Sequence, residues 1–176
     1  MLFRIHRKEW DPLFFGRAAE ARMKQRWYAP DESYGVCYLA VDPYIAFAET
    51  MLRKHGLASV EFVELSVRAI ASVTVLEPLR LVRFHGSGLK RLSADASVVH
   101  GPYEVTWAWS QAIHGHPDEV DGICYRARHD DSDFSVALFD RAQAKVDLRY
   151  TTILTSNRCS TLLSEWMDRY GLGITL

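Results

Sequence analysis

Cysteine is scarce in this chain of 176 residues: Cys37, Cys124 and Cys159 are an odd number at wide spacing, with no Cys-x-x-Cys pair. That argues against a disulfide framework or a cysteine zinc site, and it suits a reducing cytoplasm. Net charge is also lacking, at -1 with histidine neutral. No long-range field marks a binder of nucleic acid or of an acidic membrane, so any anion must be gripped locally. No apolar run is long enough for a signal peptide or a membrane span, and the opening Met-Leu-Phe-Arg-Ile-His-Arg-Lys places charges at once. The expectation is a cytoplasmic protein with no membrane contact. Internal repeats, low-complexity tracts and linkers are missing too. With 48% hydrophobic and 24% charged residues, positions 1–176 read as one folded domain that needs no metal to complete its core.

What is present is a mixture of strand and helix signals. Leu2 to Arg7 interleaves apolar residues with Arg4 and His6, which predicts a strand with Arg4 on the face opposite Phe3 and Ile5. Good helix formers from Arg17 to Met23 suggest a short helix. Gly35 to Ala40 is a compact apolar run, short enough for a buried strand. Asp42-Pro43 then starts a helix, because Asp caps free N–H groups and Pro gives up a donor that lacks a partner there. Gly56, preceded by Arg53, Lys54 and His55, is its expected stop.

Further along, Val60 to Val67, Ala71 to Leu76 and Leu79 to Phe84 predict three strands. Gly86-Ser87-Gly88 reads as a turn, since it has neither the length nor the Lys-Ser/Thr of a phosphate-binding loop. Gly101-Pro102 opens a helix striped with Val105, Ala108, Trp109, Ala112 and Ile113, which reads as core and ends at His114-Gly115. Ile123 to Arg128 and Ser135 to Phe139 form a hairpin around a polar loop. A last helix over about 157–170 turns Leu162, Leu163, Trp166, Met167 and Tyr170 to one side. The fold class is α+β: one domain, a mixed sheet and flanking helices.

Chemistry concentrates between Arg26 and Glu49, with Asp121 to Asp140 expected to return to the same cleft. Ile45, Glu49 and Leu52 share one helix face, so Glu49 points inward, where a carboxylate needs compensation. It is either functional or paired with Arg4, Arg26 or Arg53. Arg26 offers a planar fork suited to phosphate, with Arg4 as a second clamp, although each alone is more often an ordinary paired arginine. Tyr38, in an apolar strand, is either a core residue with a satisfied hydroxyl or a ring against a flat heterocycle. His114-Gly-His116 has no third ligand at a convincing spacing, so no metal is expected.

Arg26-Trp27, Gly35-Val36-Cys37-Tyr38-Leu39-Ala40 and Pro43 through Ala48-Glu49 together resemble the N-terminal signature of the RES domain, the toxin half of RES–Xre toxin–antitoxin pairs. Asp121-Gly122-Ile123-Cys124-Tyr125-Arg126 and Val136-Ala137-Leu138-Phe139 resemble its second block, so the likeness covers most of residues 2–140. The resemblance implies a fold similar to the ADP-ribosyltransferase toxins, consumption of NAD as substrate, and a cognate Xre-like antitoxin as partner. It also implies roles: Glu49 at the reacting ribose, Tyr38 on the nicotinamide end, and Arg4 and Arg26 on the phosphates. Glu49, Tyr38 and Arg26 form the expected catalytic set, and Arg4, Arg26, Trp27, Tyr38 and Arg126 the NAD-contacting set.

Two departures from the family pattern matter. Ala21-Arg22-Met23-Lys24-Gln25 replaces a glycine-rich lead into Arg-Trp, and Ala127 stands where the family carries a serine after Tyr-x. Ser132 and Ser135 are the nearby hydroxyls in sequence, with Arg126, Arg128 and His129 as further anion ligands. Three functions follow as expectations. The first is an NAD-cleaving toxin passing ADP-ribose to phosphate or water, the second a mono-ADP-ribosyltransferase with a protein acceptor, and the third a non-catalytic binding module.

Overall fold

Strand β1 (Leu2–Arg7) lies deep in the sheet, and its alternation fixes the two faces. The computed structural model describes residues 1–17, 25–54 and 56–176; most of the helix expected over Arg17–Met23, the residues replacing the glycine-rich lead up to Lys24, and His55 lie outside them. After β1 come β2 (Val36–Ala40), α1 (Pro43–Met51), β3 (Ser59–Glu61), α2 (Phe62–Ser66), β4 (Arg68–Val75) and β5 (Leu81–Phe84). Then follow α3 (Ser87–Arg91), α4 (Ser97–His100), α5 (Tyr103–His114), β6 (Gly122–Arg126) and β7 (Phe134–Phe139). A 3-10 helix (Asp140–Lys145), β8 (Val146–Ile153), α6 (Ser160–Arg169) and β9 (Gly173–Thr175) complete the order.

The main sheet has seven strands in the order β5-β6-β7-β2-β1-β4-β8, with β5 and β6 parallel and the other pairs antiparallel. One face presents Ile5, Ala40, Ile70 and Ala127 to α1 and α6, through Ile45, Phe47, Leu163 and Trp166. That face continues as Val36, Ile123, Tyr125, Ala137 and Phe139 against Trp27 and Ile113 of α5. The other face presents Leu2, Cys37, Leu39, Val73, Val136 and Leu138 to the 3-10 helix. Full burial of a side chain such as Phe47 contributes about 1.5–3 kcal/mol, so the helix-covered face carries much of the fold's stability. The architecture is the mixed α+β one expected. Among the described residues no helix is long and apolar enough to cross a membrane.

Several local expectations change. Val60 to Val67 is not one strand: β3 ends at Glu61 and α2 begins at Phe62. As a strand, Val63 and Leu65 would share a face; the helical turn buries Leu65 completely and leaves Val63 exposed. Helix α1 ends at Met51 rather than near Gly56, and Arg53 Nε donates to the Glu49 carbonyl at 2.9 Å, so the expected cation caps the end from beyond it. The apolar stripe of α5 is only partly buried. Val105, Ala108 and Ala112 are exposed, while Thr106, Ser110 and Ile113 face inward. Two hydroxyls can be buried because both are used: Thr106 Oγ1 donates to the Tyr103 carbonyl, and Ser110 Oγ donates to the Trp27 carbonyl while accepting from the Tyr34 hydroxyl. Strand β8, which pairs along β4, fills an edge for which no strand was expected.

Candidate functional site

The site begins where α5 holds the segment before β2. Trp107 Nε1 donates to the Gln25 carbonyl at 2.9 Å, and Ser110 fixes the Trp27 carbonyl at 2.6 Å. Between these anchors Arg26 is held at 8% exposure, with Nη1 donating to the Gly101 carbonyl at 3.0 Å and the guanidinium 5.0 Å from the centre of the Tyr103 ring. Burial pushes its pKa down, and the approach of Arg128 adds to that against the opposing pull of Tyr103. An arginine remains a cation under such pressure.

Strand β2 brings Tyr38 to the same face. Its hydroxyl accepts from Trp27 N at 2.9 Å, and its ring meets Tyr28 edge-on at 5.8 Å. Burial raises the phenol's pKa well above the ordinary value, with Tyr125 and Tyr28 adding to the rise, so Tyr38 stays neutral. Asp42 Oδ1 accepts from Tyr44 N and starts α1, which delivers Glu49 half-buried opposite the end of β6. Glu49 Oε1 accepts from Arg128 N at 2.6 Å and His129 N at 2.8 Å. Its compensation is therefore two main-chain N–H groups, and among the described residues it forms no ion pair. That arrangement fixes the carboxylate's position while leaving the guanidinium groups for a ligand.

The loop that supplies those amides is itself latched. Asp130 Oδ2 accepts from the Tyr170 hydroxyl at 2.8 Å and pairs with Arg169 at 3.3 Å, and the Arg169 guanidinium lies 3.9 Å from the centre of the Tyr44 ring on α1. Burial works to raise the Asp130 pKa, but the Ser132 and Tyr170 hydroxyls, the Ser132 amide and Arg169 together hold it below the ordinary 3.8. A lowered folded pKa gives stability that is present above the unfolded pKa and is lost as pH falls through the folded one. Asp130→Asn should thus cost on the order of 1 kcal/mol at neutral pH, kept small because Arg169 is partly exposed. The gap from the parent protein should close as pH drops below the ordinary aspartate value; urea titrations at pH 7 and pH 3 check it.

The expected residues do not all meet. Arg26, Tyr38 and Glu49 share the helix-covered face of the sheet. Arg4 lies on the other face, donating to the Pro12 and Phe14 carbonyls and to Cys37 Sγ, so it is no second clamp beside Arg26. Arg126 is likewise turned away: one residue after Tyr125, it stacks 4.2 Å from the centre of Phe134 and donates to the Asp131 and Ser132 carbonyls. Trp27 has no exposed surface and packs on Phe84 and Tyr125, which makes its ring core rather than a stacking platform. Arg128, two residues past Arg126, is the arginine whose charge reaches Arg26. Strand alternation would keep Arg128 with Arg126, but β6 ends at Arg126 and the loop departs from that pattern, so no local signal in the sequence pointed to it.

Only part of Asp121 to Asp140 reaches this cleft. Asp121 sits at the far end of β6, paired with Lys145 at 2.8 Å and accepting from Arg80 N, which is structural. Tyr125, Ala127, Arg128 and Ser135 are the part that returns; Ala127 is fully buried in the apolar cluster. His114 stacks on Tyr34 at 3.8 Å and accepts at Nε2 from Arg141, so it is engaged at the α5 terminus. Elsewhere, an apolar hollow of 340 Å³ between α2, α6 and β9 has no titratable side chain in its wall.

Comparisons with known proteins bear on the family and the fold. Probable toxin y4kH of Sinorhizobium fredii (strain NBRC 101917 / NGR234) is 28% identical over 127 residues, covering 72% of this chain and 98% of the relative. A chain of the crystal structure of the M. tuberculosis MbcT–MbcA toxin–antitoxin complex superposes with a TM-score of 0.70 at 15% identity, over 93% of this chain and 88% of that one, so the two share a fold. The RES domain pattern matches residues 1–156, which hold all seven strands of the main sheet and every element of the site except Arg169 and Tyr170, which latch Asp130, and the chain therefore belongs to the RES domain family.

Proposed function

We propose that this protein is the toxin of a toxin–antitoxin pair, acting in the cytoplasm by cleaving NAD at the nicotinamide–ribose bond and passing ADP-ribose to phosphate or water. The observation that carries the reading is a carboxylate, Glu49, held by the main-chain amides of Arg128 and His129 on the same covered face as the buried Arg26, with the Arg128 charge reaching Arg26. Two cations and a separately compensated acid suit a substrate with a pyrophosphate at one end and a developing positive charge at the other. Arg26 and Arg128 would hold the phosphates, Tyr38 would border the nicotinamide, and Glu49 would face the ribose.

In the reaction the bond between nicotinamide nitrogen and ribose C1′ breaks, and its electron pair leaves with neutral nicotinamide. The ribose gains oxocarbenium character, which the Glu49 carboxylate stabilises. Phosphate or water then forms the new bond at C1′, and the proton shed by water passes to the carboxylate or to solvent. Ala127 favours a second reading, a mono-ADP-ribosyltransferase with a protein acceptor, because no hydroxyl stands at that position of the site face. Both readings include a cognate Xre-like antitoxin.

Purified protein freed of antitoxin, incubated with NAD and phosphate, should release nicotinamide together with ADP-ribose or its 1-phosphate, resolved by chromatography. Intact NAD after prolonged incubation would end the depletion reading. Labelled NAD in a cell lysate separates the alternatives, since only the protein-acceptor enzyme leaves label on a polypeptide.

A further inference from the structure

The Glu49 carboxylate and the amides that hold it stand on two separate pieces of chain, α1 and the loop after β6, and the end of α6 touches both. On the loop side, the Tyr170 hydroxyl donates to Asp130 Oδ2 at 2.8 Å, and Arg169 pairs with the same oxygen at 3.3 Å. On the α1 side, the same hydroxyl lies 3.3 Å from the Tyr44 carbonyl, and the Tyr170 ring is nearly parallel to that of Phe47, with 6.1 Å between centres. The Arg169 guanidinium sits 3.9 Å from the centre of the Tyr44 ring. Tyr44 and Phe47 precede Glu49 on α1.

Asp130 directly follows His129, whose N–H is one of the two on Glu49. The neck of the loop is closed by Ala127 N donating to the Asp133 carbonyl at 3.2 Å, and its returning limb is held by Arg126, which donates to the Asp131 and Ser132 carbonyls. The tip is where the end of α6 takes hold. Only 12% of the Asp130 side chain is exposed, a costly place for a carboxylate unless both oxygens are used. Here Oδ1 accepts from Ser132 N and Oγ, while Oδ2 serves Tyr170 and Arg169.

We propose that Tyr170 is a positioning residue of the reaction: by joining Asp130 to α1, it fixes the loop tip so that the Arg128 and His129 amides hold the Glu49 carboxylate at the reacting ribose. This rests on the NAD-cleaving reading of the site. Tyr170 acts through Asp130 and those amides and requires no contact with substrate. It lies beyond residue 156, where the match to the RES pattern ends. Since misplacing a reacting group by about 1 Å can cost about 10²-fold in rate, amides free to shift by part of that should cost about tenfold.

The test takes two readouts from the full chain, steady-state release of nicotinamide from NAD and amide hydrogen exchange by NMR, both well below the melting transition. Tyr170→Phe keeps the ring against Phe47 and deletes the hydroxyl. It should lower kcat by about tenfold with KM within about threefold. Exchange at the Arg128 and His129 amides should quicken by about tenfold relative to the amides of β4, which a general loss of stability would not single out. Asp130→Asn, whose amide has one acceptor oxygen in place of two, should show the same pair of changes. Combining it with Tyr170→Phe should lower kcat by less than about threefold more, because the two side chains act as one unit. If Tyr170→Phe fails to fold, Asp130→Asn reads both quantities in its place.

A Tyr170→Phe protein with the parent kcat would overturn the inference and leave the NAD reading standing. So would unchanged exchange at the Arg128 and His129 amides, or losses of kcat that multiply in the double variant. A parent protein that leaves NAD intact overturns both.

Discussion

Glu49→Gln is expected to lower nicotinamide release by about 10²- to 10³-fold, the usual range for removing one preorganised electrostatic group from a reacting centre. The substitution separates charge from scaffold. A glutamine oxygen can still accept from Arg128 N and His129 N, so the loop after β6 should keep its place and the melting temperature should change little. Glu49→Ala differs, because it leaves those two amides without their acceptor and should cost about 1–3 kcal/mol of stability besides the activity. The two variants compared by NAD turnover and thermal unfolding tell a reacting carboxylate from a structural one. Expression without antitoxin gives a second readout: growth arrest should vanish with Glu49→Gln, whereas a non-catalytic binding module would keep whatever phenotype it has.

Arg26→Lys should lower kcat/KM for NAD by about 10- to 100-fold, equivalent to about 1.4–2.8 kcal/mol, chiefly through KM. Arg26 holds the Gly101 carbonyl with one nitrogen and lies against the Tyr103 ring while the remainder of its fork can meet a phosphate. A lysine is a compact point charge that cannot do all three. The competing account makes Arg26 a staple between the segment before β2 and the loop before α5. It predicts a lower melting temperature at an unchanged KM, so isothermal NAD titration alongside thermal unfolding decides between them.

Much of the site's first half was legible because short-range chemistry governs it. Asp42-Pro43 starts α1 by capping, which needs no distant partner, and helical spacing then puts Glu49 on the face shared with Ile45. Arg4 shows where such reasoning stops. Period-two alternation correctly set Arg4 opposite Ile5, but nothing local reveals that the helices, and with them the site, cover the Ile5 face. The same ambiguity misplaced Arg126, whose neighbours Tyr125 and Ala127 carry the covered face. Trp27 was misjudged for another reason, since adjacency to Arg26 in sequence says nothing about which of the two is buried; the answer comes from Phe84 and Tyr125, far along the chain.

The sequence by itself determined the α+β class, the strand–cap–helix unit that carries Tyr38 and Glu49, the β6–β7 hairpin, and the RES resemblance, because each rests on residues close together in the chain or on motifs in order. Tertiary structure decided what meets Glu49. Two amides from the loop after β6 lie about eighty residues away, and that loop is held by Tyr170 and Arg169 from the far end of the chain. It also turned Arg4 and Arg126 away from Arg26 and let the Arg128 charge reach it. Such contacts depend on how strands order in the sheet and which face the helices cover, a balance of burial across the whole domain that no local pattern encodes.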